Sequence, residues 1–294
     1  VAATLGGRYT RDEKEFVGSI QSFVRPPREE VALERTYTSF TPKLGVDVQF
    51  RDGLFGYASA SKGFKAGGFN GLSVANPAVL RATFEPQEVW AYEIGLKADW
   101  LDDRLRTNLA YFLNDISGLQ QTATLGAGSF AQQNVGDATV MGLEAEITAR
   151  PVDALTLFAN LGWQDDEYDS LTPGSQAAQA GGQNLPLVPD YTAQVGFAWE
   201  QPVGGALVFR LGADGRYTGD HYLEVTNSIL VKGYTRYDGF VGIGSADGQW
   251  DLRLQGRNLS DEANYVTGFA NSPNPALALL RPREWMLRLT YRMQ

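Results

Sequence analysis

The chain holds one histidine, His221 in the run Gly219-Asp220-His221-Tyr222, and no cysteine. A single imidazole can shuttle a proton or touch a ligand, and the Tyr222 hydroxyl beside it can donate or accept a hydrogen bond. No serine-nucleophile motif accompanies it, so the bland reading is a solvated loop residue. Several-histidine metal sites, thiolate sites and disulfides are all excluded. Carboxylates gather in Asp165-Asp166-Glu167-Tyr168-Asp169. Such a run offers oxygen ligands to Ca²⁺ or a cationic ligand, with Asp166 and Tyr168 as the candidate contacts. Its bland reading is the solvated base of a loop. Residues 62–71 combine Phe64, Lys65, Phe69 and Asn70 with several glycines. Cation, ring and flexible backbone together suit an anionic ligand through charge attraction and stacking. The bland reading is a loop whose glycines permit tight turns. Arg253, Arg257, Arg288 and Arg292 also share one face of their strands, where they are expected to pair with acidic groups.

These residues have to be held by something, and the punctuation of the chain says what. Short turn signals fall at 51–53, 101–104, 151–154, 201–205 and 246–249, built from Asp, Gly and Pro. Longer irregular stretches separate them, near 17–35, 64–84, 115–137, 165–190, 217–234 and 261–281. Five short turns and six long loops make twelve antiparallel strands. Trp90, Tyr92, Ile94, Leu96, Ala98 and Trp100 lie on one face of a strand, with Glu93, Gly95, Lys97 and Asp99 on the other. Eight further segments alternate in the same way. None of the 42 apolar-face positions of these nine segments is charged, in a chain that is 20% charged.

A soluble β-sandwich also alternates. Three features favour a transmembrane β-barrel instead. All six tryptophans, Trp90, Trp100, Trp163, Trp199, Trp250 and Trp285, sit at expected strand ends in the apolar register, as membrane-interface aromatics do. The expected strands run about 9 to 13 residues, a tilted crossing of the hydrocarbon layer. The opposite faces carry charges that suit a wet or plugged lumen. No apolar run is long enough for a helical span. The net charge of −9, without a Lys/Arg-dense stretch to compensate it, argues against nucleic acid as a partner.

Four stretches carry a family resemblance: 57–70 (a strand running into a glycine-rich loop), 84–97 with 105–115, 134–138 with 142–146, and Arg257-Asn258-Leu259-Ser260-Asp261-Glu262-Ala263-Asn264-Tyr265. In this order and spacing they resemble the C-terminal barrel of TonB-dependent receptors, especially the siderophore-receptor-like members. The resemblance covers essentially the whole chain. One departure is the C-terminus, where Met293 and Gln294 stand in place of the family's terminal aromatic residue.

The resemblance implies an all-β fold, an antiparallel transmembrane β-barrel with about 12 strands here out of an expected 22, short periplasmic turns and long extracellular loops. Residues 1–294 are then expected to be the C-terminal portion of that barrel, with the plug domain and first barrel strands absent. A start at Val1 without signal peptide, directly in alternating residues, agrees with a fragment. The implied activity is import of a scarce ligand across the bacterial outer membrane, above all a ferric siderophore, with no catalytic step, no catalytic residue, no cofactor and no resident metal. Implied partners are outer-membrane lipid and lipopolysaccharide, the TonB complex through the missing N-terminal part, and the ferric chelate. Residues 62–71 then fit an anionic or catecholate-like iron chelate. The alternatives are a self-contained 12-stranded outer-membrane porin or barrel enzyme, and a soluble β protein.

Overall fold

The computed structural model describes residues 1–20, 29–71, 77–124, 130–269 and 275–293. Twelve long strands form one antiparallel sheet in which each pairs with its neighbours in sequence. They are β1 (Ala2–Ile20), β2 (Glu29–Arg51), β3 (Leu54–Lys65) and β4 (Gln87–Trp100). The middle four are β5 (Leu105–Ser117), β6 (Gly136–Val152), β7 (Leu155–Leu171) and β8 (Tyr191–Val203). The last four are β9 (Leu207–Thr218), β10 (Tyr234–Ser245), β11 (Trp250–Arg257) and β12 (Glu284–Tyr291). Among the described residues β1 and β12 are edges and do not pair with each other. Two single-turn helices, α1 (Pro77–Arg81) and α2 (Gln176–Ala180), and four small hairpins lie in the long connections.

All five expected short turns join strands at one end of the sheet. The chain reverses there at left-handed positions such as Gly53, whose φ is 73°. A Cβ at Gly53 would stand 3.1 Å from the Asp99 carbonyl oxygen, so only glycine fits this tight approach. The other end carries the long connections.

The side of the sheet bearing the apolar register is the one open to its surroundings. Ile94 is 60% exposed, Val195 58% and Leu287 69%. A sandwich would bury these side chains, because large apolar groups left exposed to water cost free energy. Trp90 and Trp100 sit on this side of β4, ten residues apart, which is ~33 Å along the strand and ~25 Å across a membrane at a ~40° tilt. Trp90, Trp163 and Trp285 close the loop-ward side of the apolar register, and Trp100, Trp199 and Trp250 its turn-ward side.

Three expectations about the strands need correction. Residues 165–169 are strand, since β7 continues to Leu171, so they are not the base of an irregular loop. For the same reason Trp163 stands in the middle of β7 and not at a strand end. The connection expected at 17–35 shrinks too, because β1 runs to Ile20 and β2 starts at Glu29. Beyond the apolar band the outer face of a strand turns polar, so backbone pairing goes on where hydrophobic alternation has stopped.

The inner side is packed by aromatic rings laid over glycines directly across the ladder. Tyr57 stands opposite Gly95, Phe112 opposite Gly142, Phe158 opposite Gly196 and Phe240 opposite Gly212. At Gly196 a Cβ would meet Phe158 Cζ at 2.5 Å, Asp214 Cβ at 2.6 Å and the Ala213 carbonyl oxygen at 2.7 Å. The last is backbone and cannot swing aside. Gly196→Val is therefore expected to destabilise the folded barrel by about 1–3 kcal/mol, read from equilibrium unfolding in detergent micelles. A variant as stable as the parent would show that the ring does not cover this glycine.

The buried apolar cores lie at the loop end, on the inner side. Leu119, Val135, Ala138, Ala177, Leu185 and Val225 form the larger one, packed against inner-face side chains of β5–β7 such as Ile116, Val140 and Tyr168. The long connections thus fold inward over the sheet.

Candidate functional site

The expected ligand contacts lie at the loop end, all but Phe64 at three stations along the inner rim. The first is a cleft of about 490 Å³ between β1 and the connections after β3 and β5, lined by Lys14, Lys65, Phe69, Asn70, Phe84 and Gln120 among others. Strand alternation brings Lys65 to the inner side, while Phe64 keeps the register of Ala58 and Ala60 on the outer side. Phe64 is therefore not part of this cleft, and its expected grouping with Lys65 is corrected. Lys62, also in the outer register, pairs with Glu88 at 2.7 Å just beyond Trp90.

Inside the cleft, Lys14 Nζ donates to the Gly67 carbonyl at 2.7 Å and lies 5.8 Å from the centre of the Tyr37 ring. Asn70 is committed to structure. Its Nδ2 donates to the Ala82 and Gln132 carbonyls, and its Oδ1 accepts the Gln132 N–H at 2.7 Å. Gln120, 6% exposed, donates to the carbonyls of Ala66 and Glu85, and its Oε1 has no hydrogen-bond partner among the described residues. The cationic and aromatic character expected of residues 62–71 is present here, with Lys14 and Phe84 added by the fold.

The second station is the inner face of β7. Asp166, 7% exposed, accepts the Leu185 N–H at 2.5 Å and so anchors the connection 172–190. Tyr168 donates to Gln121 Oε1 at 2.9 Å. Burial, with the charge of Asp166 added, pushes the Tyr168 phenol up to about 12, so it serves as a neutral donor. Burial also raises the Asp166 pKa, the Leu185 N–H opposing and the Asp190 and Asp165 charges assisting. A carboxyl that holds its proton more tightly when docked favours docking most at low pH. That preference is lost as pH rises from the ordinary carboxylate range through the raised value. Hydrogen-exchange protection of the Leu185 amide, corrected for intrinsic exchange, is expected to fall over that window. Asp166→Asn keeps an acceptor and should flatten the profile; an unchanged profile would remove Asp166 as its cause.

The third station is the connection 219–233. His221 Nδ1 lies 2.9 Å from the Gly219 carbonyl, so that nitrogen carries the proton, and the Tyr222 carbonyl accepts the Leu187 N–H at 2.7 Å. Glu224 folds the rest of the connection onto itself, accepting from the backbone N–H of Thr226, Ser228 and Ile229 and from both hydroxyls. Burial alone would push its carboxyl up, but the hydrogen bonds from Thr226 and Ser228 hold it below the usual range.

The stations do not merge into one pocket, yet they are joined. The hairpin 120–134 ties Gln120 to the first station and Gln121 to Tyr168 at the second. Gln176 of α2 bonds both the N–H and the carbonyl of Thr124 at 2.8 Å. Asn227 accepts the N–H groups of Gln183 and Asn184, closing the 219–233 connection onto 172–190. These amides were not singled out from the sequence. Their only signal is the density of Gln and Asn, whose side chains offer donor and acceptor together and stand in for a strand edge. Among the described residues no group of three or more His, Cys, Asp or Glu could hold a metal ion.

Residues 1–259 match the model of the family described as TonB dependent receptor-like, beta-barrel. The chain belongs to the TonB-dependent receptor barrels. The ferrichrome outer membrane transporter/phage receptor of Escherichia coli (strain K12) is 28% identical over 270 residues, covering 90% of this chain and 32% of that protein. The ferric-pyoverdine M114 receptor PbuA of Pseudomonas sp. (strain M114) is 27% identical over 268 residues, 88% of this chain and 31% of its own. The chain thus spans about a third of the length of the curated relatives it matches. Among solved structures, the ferric yersiniabactin uptake receptor FyuA from Yersinia pestis superposes with a TM-score of 0.80 at 18% identity, over 98% of this chain and 42% of that one. The siderophore receptor PiuA from Acinetobacter baumannii gives 0.73 at 21% identity, over 98% and 40%. Both likenesses concern the fold: this TonB-dependent receptor chain forms twelve strands of such a barrel wall.

Proposed function

We propose that this chain is the C-terminal portion of a full-length TonB-dependent receptor that imports a ferric siderophore across the bacterial outer membrane. The observation that carries the reading is the mouth: polar connections fold inward over the inner face of a wall whose outer face is apolar. That arrangement captures a ligand from outside and keeps lipid out of the path. The loop end faces the medium and the short turns face the periplasm. Outer-membrane lipid and lipopolysaccharide surround the apolar band, where Lys62 and Glu88 meet the headgroup level. A plug encoded elsewhere in the protein fills the lumen, and TonB acts on that part. No bond is made or broken.

Siderophore-receptor relatives support the ligand class, and the two unpaired sheet edges support membership of a larger barrel over a self-contained 12-stranded porin or enzyme. The test is deletion of the full-length gene in its native host under iron limitation. Loss of radio-iron uptake from ferric chelates is expected. Undiminished uptake across a panel of siderophores would sink the reading.

A further inference from the structure

Far along the sheet from the Lys14–Lys65 cleft, a second cleft of about 580 Å³ opens between the inner face of β9–β11 and the connection 258–283. Its sheet wall presents Arg216, Arg236 and Arg257; its loop wall presents Arg281 beside Val266 and Leu279. The charges are tiered. Arg216 stands directly across the ladder from Arg236, and one step deeper Asp214 stands directly across from Asp238. Each of these arginines leans down its own strand, Arg216 Nε reaching Asp214 at 2.8 Å and Arg236 Nε standing 3.8 Å from Asp238. The acids are engaged further, Asp214 by the Gln194 amide at 3.1 Å and Asp238 by the Asn258 N–H at 2.8 Å.

The cations are less well served. Enclosed Arg236 Nε has no hydrogen-bond partner among the described residues. Arg257, across the ladder from Glu284, and Arg281 make no side-chain ion pair or hydrogen bond among the described residues. Two arginines placed directly opposite each other cost stability unless an anion stands between them. A ligand entering from the loop end therefore meets a tier of guanidinium groups first, with an apolar wall beside it. The arginines lie on the inner face, so a lipid headgroup on the outer face does not reach them.

We propose that this cleft takes the carboxylate groups of the imported chelate, so the ligand class is a carboxylate-bearing ferric chelate. Guanidinium forks match carboxylate oxygens bidentately, and Val266 and Leu279 cover the carbon skeleton. The proposal rests on the import reading above.

The test uses the full-length receptor in detergent, with ferric citrate as the carboxylate probe and a neutral ferric trihydroxamate as control, each followed by quenching of intrinsic fluorescence. Arg257→Gln/Arg281→Gln removes the two cations whose loss breaks no protein contact among the described residues. Affinity for ferric citrate is expected to fall about tenfold or more, and its salt dependence to flatten. The neutral chelate should bind within about twofold of the parent, at an unchanged melting temperature. Failure of the parent to bind ferric citrate, or a variant that binds it as well as the parent, overturns the proposal. Equal loss of both probes with a lowered melting temperature also overturns it, by assigning the arginines to protein contacts. TonB-dependent uptake of the neutral chelate without ferric citrate binding refutes the carboxylate assignment and leaves the import reading standing. Absence of any ferric chelate uptake removes the import reading itself.

Discussion

Asn258→Ala is expected to release the connection 258–283 from the barrel mouth at a local cost of about 4 kcal/mol. Asn258 is 2% exposed and holds a left-handed backbone, with φ at 48°. Its Nδ2 donates to the carbonyls of Glu262 at 2.9 Å and Arg281 at 3.0 Å, and its Oδ1 accepts the Glu262 N–H at 2.8 Å. Three buried hydrogen bonds at about 1 kcal/mol each, plus about 1 kcal/mol for alanine in the left-handed region, make the total. The neighbouring Leu259 N–H donates to the Tyr237 carbonyl, and Asp261 accepts the Arg283 N–H, so the knot ties both ends of the connection to β10 and β12. Hydrogen exchange at the Glu262 and Arg283 amides should accelerate about a thousandfold, while amides in the middle of β5 and β6 stay protected. Asn258→Gly removes the same bonds without the backbone penalty and should cost about 1 kcal/mol less. If both variants exchange like the parent, the knot does not hold the connection.

The second large effect comes from the lipid-facing side. Ile94 lies on β4 between Trp90 and Trp100, near the middle of the apolar band. Ile94→Lys places a charge close to the bilayer midplane and is expected to cost about 2–4 kcal/mol. Ser59→Lys, one strand over and on the inner face, stands directly across from Glu93 and is expected to change stability by less than about 1 kcal/mol. Guanidinium unfolding of the full-length protein from lipid vesicles separates the two. Equal penalties at positions 59 and 94 would mean that the faces have been assigned wrongly.

Much of this architecture is legible along the chain. The step-of-two pattern from Trp90 to Trp100 marks a strand with one apolar and one polar face. Asp102, Asp103, Gly53 and Gly248 mark where strands must reverse. Even the separation of Phe64 from Lys65 is implied by parity, since neighbours in a strand point to opposite sides. The reading of residues 165–169 as a loop failed for the converse reason. Above the membrane Asp165, Glu167 and Asp169 face water outside while Asp166 and Tyr168 face the packed mouth, and no apolar alternation remains to reveal the strand.

What the residues determine by themselves is local: a two-sided strand of membrane-crossing length, a tight turn, an interfacial tryptophan. Each follows from side-chain polarity and backbone geometry within a few neighbours. Tertiary structure decided how the mouth is assembled. Asn70 meets Gln132 across 62 positions, and Tyr168 meets Gln121 across 47. The arginine tier of β9–β11 forms only because ladder register sets Arg216 beside Arg236. Hydrogen bonds between amides, carboxyls and guanidinium groups carry no periodic signal. Which partners they find depends on strand order and register, and these exist only once the sheet has formed.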